Sequence, residues 1–202
     1  MFVKEYHFIT HWHVRGAVQE VTAIISDRTA LTHWWPSVYL NAEVVEAGDA
    51  TGIGTVMRLD TKGWLPYTLR WQFRVSEISK KGFTLIASGD FEGRGIWTFQ
   101  QNGEWVNIIY DWKVRAEKPL LRTFSFLLRP LFAANHSWAM ERGEESLKLE
   151  LVRRRAVDET ERALVPIPPQ PTSAPRFFLV TVGSLIVVSG LGYFSAKFLG
   201  RR

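Results

Sequence analysis

The chain has 202 residues, a net charge of +5 and no cysteine, which excludes disulfides, thiolate chemistry and a cysteine-type zinc site. The charge is modest and its largest cluster, Arg153 to Arg155, follows the expected core instead of striping a strand or helix, so no nucleic-acid partner is expected. With 46% hydrophobic residues the chain can bury one core of roughly 150 residues, and nine Trp suit either a Trp-rich interior or the wall of an apolar cavity.

The N-terminus shows no basic leader followed by an apolar run, so no secretory signal is expected. From Tyr6 to Val14 the sequence alternates, with Tyr6, Phe8, Trp12 and Val14 on one face and His7, His11 and His13 on the other, which predicts a first strand. His11 and His13 have the spacing of a shared metal site. Such a site needs a third ligand from elsewhere and none is near in sequence, so a solvated strand face is the favoured reading of the pair. Ala17 to Ser26 has helical spacing, and a second short helix over Thr29 to Trp35 is ended by Pro36. The pair Trp34 and Trp35 either anchors these helices on a sheet edge or sits at the rim of a pocket.

Six strands are predicted next: 39–46, 54–62, 66–78, 82–90, 91–101 and 104–116. Turn residues separate them, and Asn102-Gly103 is the strongest hairpin signal. The alternation leaves one face apolar: Leu69, Trp71, Phe73 and Val75 oppose Arg70, Gln72, Arg74 and Ser76, while Val106, Ile108, Tyr110, Trp112 and Val114 oppose Asn107, Asp111, Lys113 and Arg115. Phe91, Trp97 and Phe99 share their face with Gly93 and Gly95, which mark a bend in a curving strand.

Pro119 to about Leu151 then reads as a long helix. Leu121, Phe124, Leu128, Leu131, Asn135, Trp138 and Arg142 recur at spacings of three and four as its sheet-facing stripe, and Pro130 predicts a bend. A bent amphipathic helix against a curved aromatic sheet encloses a cavity.

This order resembles the helix-grip fold of the START-like, or SRPBCC, superfamily, which includes polyketide cyclase/dehydrase and lipid-transport proteins. The resemblance is carried by Ala17-Val18-Gln19-Glu20-Val21, Ile25-Ser26-Asp27, Leu31 to Pro36, Tyr110-Asp111-Trp112, Arg129 to Phe132, Asn135-His136 and Met140 to Glu144, and covers about residues 1–152. It implies an α+β domain in which a curved antiparallel sheet of about seven strands wraps a long C-terminal helix and holds a hydrophobic or amphipathic ligand. It implies no universal catalytic motif.

The cavity lining is accordingly expected from Trp71, Phe73, Trp97, Phe99, Tyr110, Trp112, Phe124, Leu128, Leu131, Asn135 and Trp138. Asn135, His136, Arg142 and Tyr110 are the polar groups expected to meet a ligand. No nucleophile elbow, phosphate loop or metal-ligand cluster occurs, so no cofactor or metal is expected. Binding of a hydrophobic small molecule or lipid is favoured, with a cyclase- or dehydratase-type enzyme as the alternative.

Residues 153–176 read as a charged, then Pro-rich linker, in which Val165 to Pro175 would reach roughly 34 Å if extended. Phe177 to Ala196 carries no charge, and twenty helical residues span about 30 Å, the thickness of a bilayer core. A transmembrane helix with a short basic tail over 177–202 is expected, in a single-pass tail anchor of the bacterial inner-membrane kind with the N-terminal domain cytoplasmic. Gly183 and Gly190 lie on nearly one face and would suit weak homodimer packing.

Overall fold

The computed structural model describes residues 5–116 and 125–172, which fall within one compact unit, Met1–Thr172. Its elements are β1 (Tyr6–Arg15), α1 (Val18–Ile25), α2 (Leu31–Trp34), β2 (Tyr39–Glu46), β3 (Val56–Lys62), β4 (Thr68–Ser79), β5 (Gly82–Gly89), β6 (Phe91–Asn102), β7 (Trp105–Ala116), α3 (Ser125–Arg155) and α4 (Glu159–Leu164). The strands form one antiparallel sheet in the order β1-β7-β6-β5-β4-β3-β2, with Tyr6 opposite Val114 at one edge. This is the helix-grip arrangement: six strands paired in sequence, plus a first strand carried back to the last.

The alternation that marks the strands also orients them. In β1, Tyr6, Trp12 and Val14 are buried and His7, His11 and His13 exposed; in β4, Leu69, Trp71, Phe73 and Val75 are buried while Arg70, Gln72 and Arg74 face out. Burying one face of each strand this way removes the large aromatic side chains from water, the dominant favourable term in folding. The outer histidines have local partners of their own: His7 Nε2 lies 3.0 Å from Asp111 Oδ1, and the His13 ring stacks on Trp105.

Three expectations shift. Asn102 pairs with Trp105, so the β6–β7 turn is Gly103-Glu104, not Asn102-Gly103. Only Gly103 there has positive φ, 58°, whereas the type I′ turn suggested by Asn-Gly needs it at both central residues. The long helix ends at Arg155, beyond Leu151, and within the supposed linker Asp158 caps α4 by accepting a hydrogen bond from the Glu161 amide at 2.8 Å. As far as Thr172, the last described residue, the linker contacts the domain instead of standing off from it: Arg153 Nη2 donates to the Pro166 carbonyl and Lys62 Nζ to the Thr172 carbonyl, each at 2.8 Å.

The face α3 turns inward is also displaced from the stripe of bulky residues. Met140, Gly143, Ser146, Leu147 and Leu151 are buried, with Phe132, Asn135, His136 and Ala139 partly so on the same side; Leu131 and Trp138 flank this stripe. Gly143 belongs in it because the Trp35 indole packs directly on the helix backbone there. A Cβ on Gly143 would clash with that ring. Gly143→Ala is therefore expected to reverse the usual helix preference: the propensity gain of about 1 kcal/mol is outweighed by displacing a Trp that is 3% exposed, for a net loss of about 1–3 kcal/mol in urea unfolding. A variant as stable as the parent would show that Trp35 moves freely.

At the far end of α3, Arg155 donates to both carboxylate oxygens of Glu20, at 2.7 and 2.8 Å, tying α3 to α1. The guanidinium, with the Ala17 amide next, holds the Glu20 carboxyl down to about 2. Among the described residues no helix is long and apolar enough to cross a membrane. The 177–196 segment, with its small-residue face, lies outside the described residues.

Candidate functional site

Between the sheet and the middle of α3 lies a cavity of about 140 Å³. Aromatic side chains make most of its wall. Trp97 stacks on Tyr110 at 4.2 Å between centroids, Tyr110 on Trp112 at 5.5 Å, and Trp71 leans against Trp112 at 5.7 Å. Gly95 makes this floor possible, since a Cβ there would lie 2.7 Å from the Tyr110 hydroxyl. Trp97 continues through Trp12 to Trp35 and Tyr39, each pair 5.2 to 5.4 Å apart.

Facing that floor, α3 contributes Phe132, Asn135, His136, Ala139 and Met140. Asn135 is a brace: its Oδ1 accepts the Leu65 amide at 3.1 Å and holds the β3–β4 loop against the helix. Gly63 has no Cβ because Asn135 occupies that space. His136 stacks on Phe8 at 4.3 Å, and its Nε2 lies 3.4 Å from Thr10 Oγ1. Burial alone pulls its pKa down to about 4, so the imidazole is neutral at pH 7.

The rest of the polar lining is Thr61, Lys62 and four tyrosines. Burial pushes Tyr39 and Tyr110 above the ordinary tyrosine range, Tyr110 further because Tyr39 is near, and Tyr67 rises to about 12 through burial and its neighbour Tyr6. These phenols stay protonated and act as hydrogen-bond donors, not bases. Among the described residues the hydroxyls of Tyr39, Tyr67 and Tyr110 have no hydrogen-bond partner. Trp71 is different, since its Nε1 donates to Thr61 Oγ1 at 2.9 Å within the wall.

Of the eleven side chains expected to line a cavity, Trp71, Trp97, Tyr110, Trp112 and Asn135 do so. Phe73 and Phe99 share the same sheet face but lie in its filled part, in the packed core. Leu131 and Trp138 sit beside the inward stripe and do not reach the cavity. Leu128 belongs to α3 with its side chain outside the described set, and Phe124 lies outside the described residues. Arg142 points away, paired with Glu145 at 2.7 Å. Trp34 and Trp35 divide the two roles open to them: Trp34 is a fully buried anchor and Trp35 a cavity wall. Sequence reasoning missed Tyr39, Thr61, Lys62 and Tyr67. Tyr6 and Phe8, by contrast, were available from the parity of β1.

No family model matches the sequence, and no curated protein matches it. Solved structures do. A Thermus thermophilus protein aligns with TM-score 0.64 and 18% identity over 75% of this chain and 100% of its own. An aromatase/cyclase from a Streptomyces species aligns with TM-score 0.61 and 13% identity over 76% and 98% of the two chains, and a START superfamily protein from Mycobacterium smegmatis with 0.55 and 16% over 70% and 98%. At these identities the likeness shows the fold alone, the helix-grip fold.

Proposed function

We propose that this protein binds a hydrophobic small molecule or lipid in the cavity between the sheet and α3. The observation that carries the reading is an aromatic-walled hollow in which the hydroxyls of Tyr39, Tyr67 and Tyr110 have no partner among the described residues. As lining groups these hydroxyls are donors available to whatever fills the hollow. A ligand with an apolar body and a few oxygen atoms supplies both the missing contacts and the missing acceptors. The START superfamily and aromatase/cyclase neighbours share the scaffold on which such a hollow is built.

Native mass spectrometry of gently purified full-length protein is expected to find a non-covalent hydrophobic adduct, and consistently empty protein would count against binding. The reading extends to a membrane: the uncharged run from Phe177 to Ala196 tethers the domain to a bilayer, with the domain on the cytoplasmic side. A reporter fused to the C-terminus should then read out across the membrane; a cytoplasmic signal would refute that topology.

A further inference from the structure

Among the described residues the cavity lining holds one formally charged side chain, Lys62, and no carboxylate. Basic residues on the outer face of β3 and β4 are matched. Arg58 faces Glu43 at 3.1 Å, Arg74 faces Glu46 at 2.9 Å and Arg70 faces Asp60 at 3.7 Å. Lys62 instead donates to a neutral acceptor, the Thr172 carbonyl. An ammonium has three donors, and charges drawn toward apolar walls are ordinarily matched by a counter-charge. The junction is under-satisfied on its other side too, because Thr172 Oγ1 is sealed from solvent with no hydrogen-bond partner among the described residues.

We propose that Lys62 is the anion receptor of this site and that the ligand is a hydrophobe ending in an anionic oxygen group, such as a carboxylate or phosphate. This rests on the cavity being a ligand pocket. The apolar body lies against Trp71, Trp97 and Trp112, and the anion meets the Lys62 ammonium. An anionic oxygen is a stronger acceptor than a peptide carbonyl, so the ligand competes with Thr172 for Lys62. Occupancy of the pocket and attachment of the proline-rich 165–172 segment are thereby coupled.

The test uses a matched pair of fluorescent probes on full-length protein: anilinonaphthalene sulfonate and its neutral counterpart, phenylnaphthylamine. Lys62→Met is expected to weaken the sulfonate about tenfold, the scale of one charge-assisted hydrogen bond, while changing the neutral probe less than twofold. Lys62→Arg should restore the sulfonate. Equal loss of both probes, or no loss of either, overturns the assignment while leaving a hydrophobic pocket in place. Failure of both probes to bind the parent protein overturns the pocket itself. Displacement of the sulfonate by laurate indicates a free acid and by lysophosphatidate a lipid head group; displacement by neither overturns anion recognition. Since the chain has no cysteine, a nitroxide on Gln170→Cys reports the 165–172 segment alone. Its spectrum should sharpen on adding the sulfonate and in Lys62→Met; an unchanged spectrum in both refutes the coupling.

Discussion

Trp97→Ala is expected to lower unfolding free energy in urea by about 3 kcal/mol, the lower end of the range for deleting a buried Trp. Trp97 is 6% exposed and is the hub of the aromatic floor, touching Tyr110, Trp12, Phe83 and Phe99. Aromatic contacts of this kind contribute about 0.5–1.5 kcal/mol each beyond burial, so the loss exceeds a simple transfer cost. It stays below the upper limit because one part of the ring already borders the cavity, and truncation enlarges a void that water can enter. Trp97→Phe keeps the stack on Tyr110 and should lose less than half as much. A loss below about 1 kcal/mol for the alanine variant would mean that the floor is held by the sheet alone.

The second large effect is a pH dependence centred on His136. In the folded chain its imidazole titrates near 4, against an ordinary 6.5. Below about pH 6.5 the unfolded chain takes up a proton that the folded chain refuses, so unfolding becomes easier as pH falls toward 4 and the dependence flattens below that. The stabilisation is complete above about pH 6.5 and amounts to roughly 3 kcal/mol at most, from about 1.4 kcal/mol per pKa unit. Other carboxylates titrate in the same window, so the informative measurement is the difference between the parent and His136→Phe, which keeps an aromatic ring against Phe8. The variant's stability should vary less between pH 4 and 6.5; parallel curves would place His136 in contact with solvent.

The parity of β1, β4 and β7 is legible in the sequence because a strand turns alternate residues to opposite surroundings, and Tyr6, Trp71, Tyr110 and Trp112 sit where that rule puts them. The inward face of α3 is less legible. Bulk suggests burial, yet Gly143 faces inward because Trp35 needs room, with Ala139 and Ser146 on the same side, while the bulky Leu131 and Trp138 lie to the side. Lys62 is hidden for a related reason: it falls on the same parity as the outward Arg58, and only the end of β3 brings it to the cavity. Phe73 and Phe99 show the converse limit, since parity identifies the apolar face but not which part is hollow.

The pairing of β1 with β7 also has a kinetic side. Tyr6 and Val114 are paired although 108 residues apart in sequence, and contacts so distant in sequence slow folding because loop closure precedes any reward. During synthesis the first strand has no sheet partner until the last has emerged. For that interval the aromatic surface is uncovered, and transient apolar surface of this kind is what chaperones recognise and what aggregates at high concentration. The same connection that gives the mature domain its floor therefore makes the nascent chain dependent on its own completion.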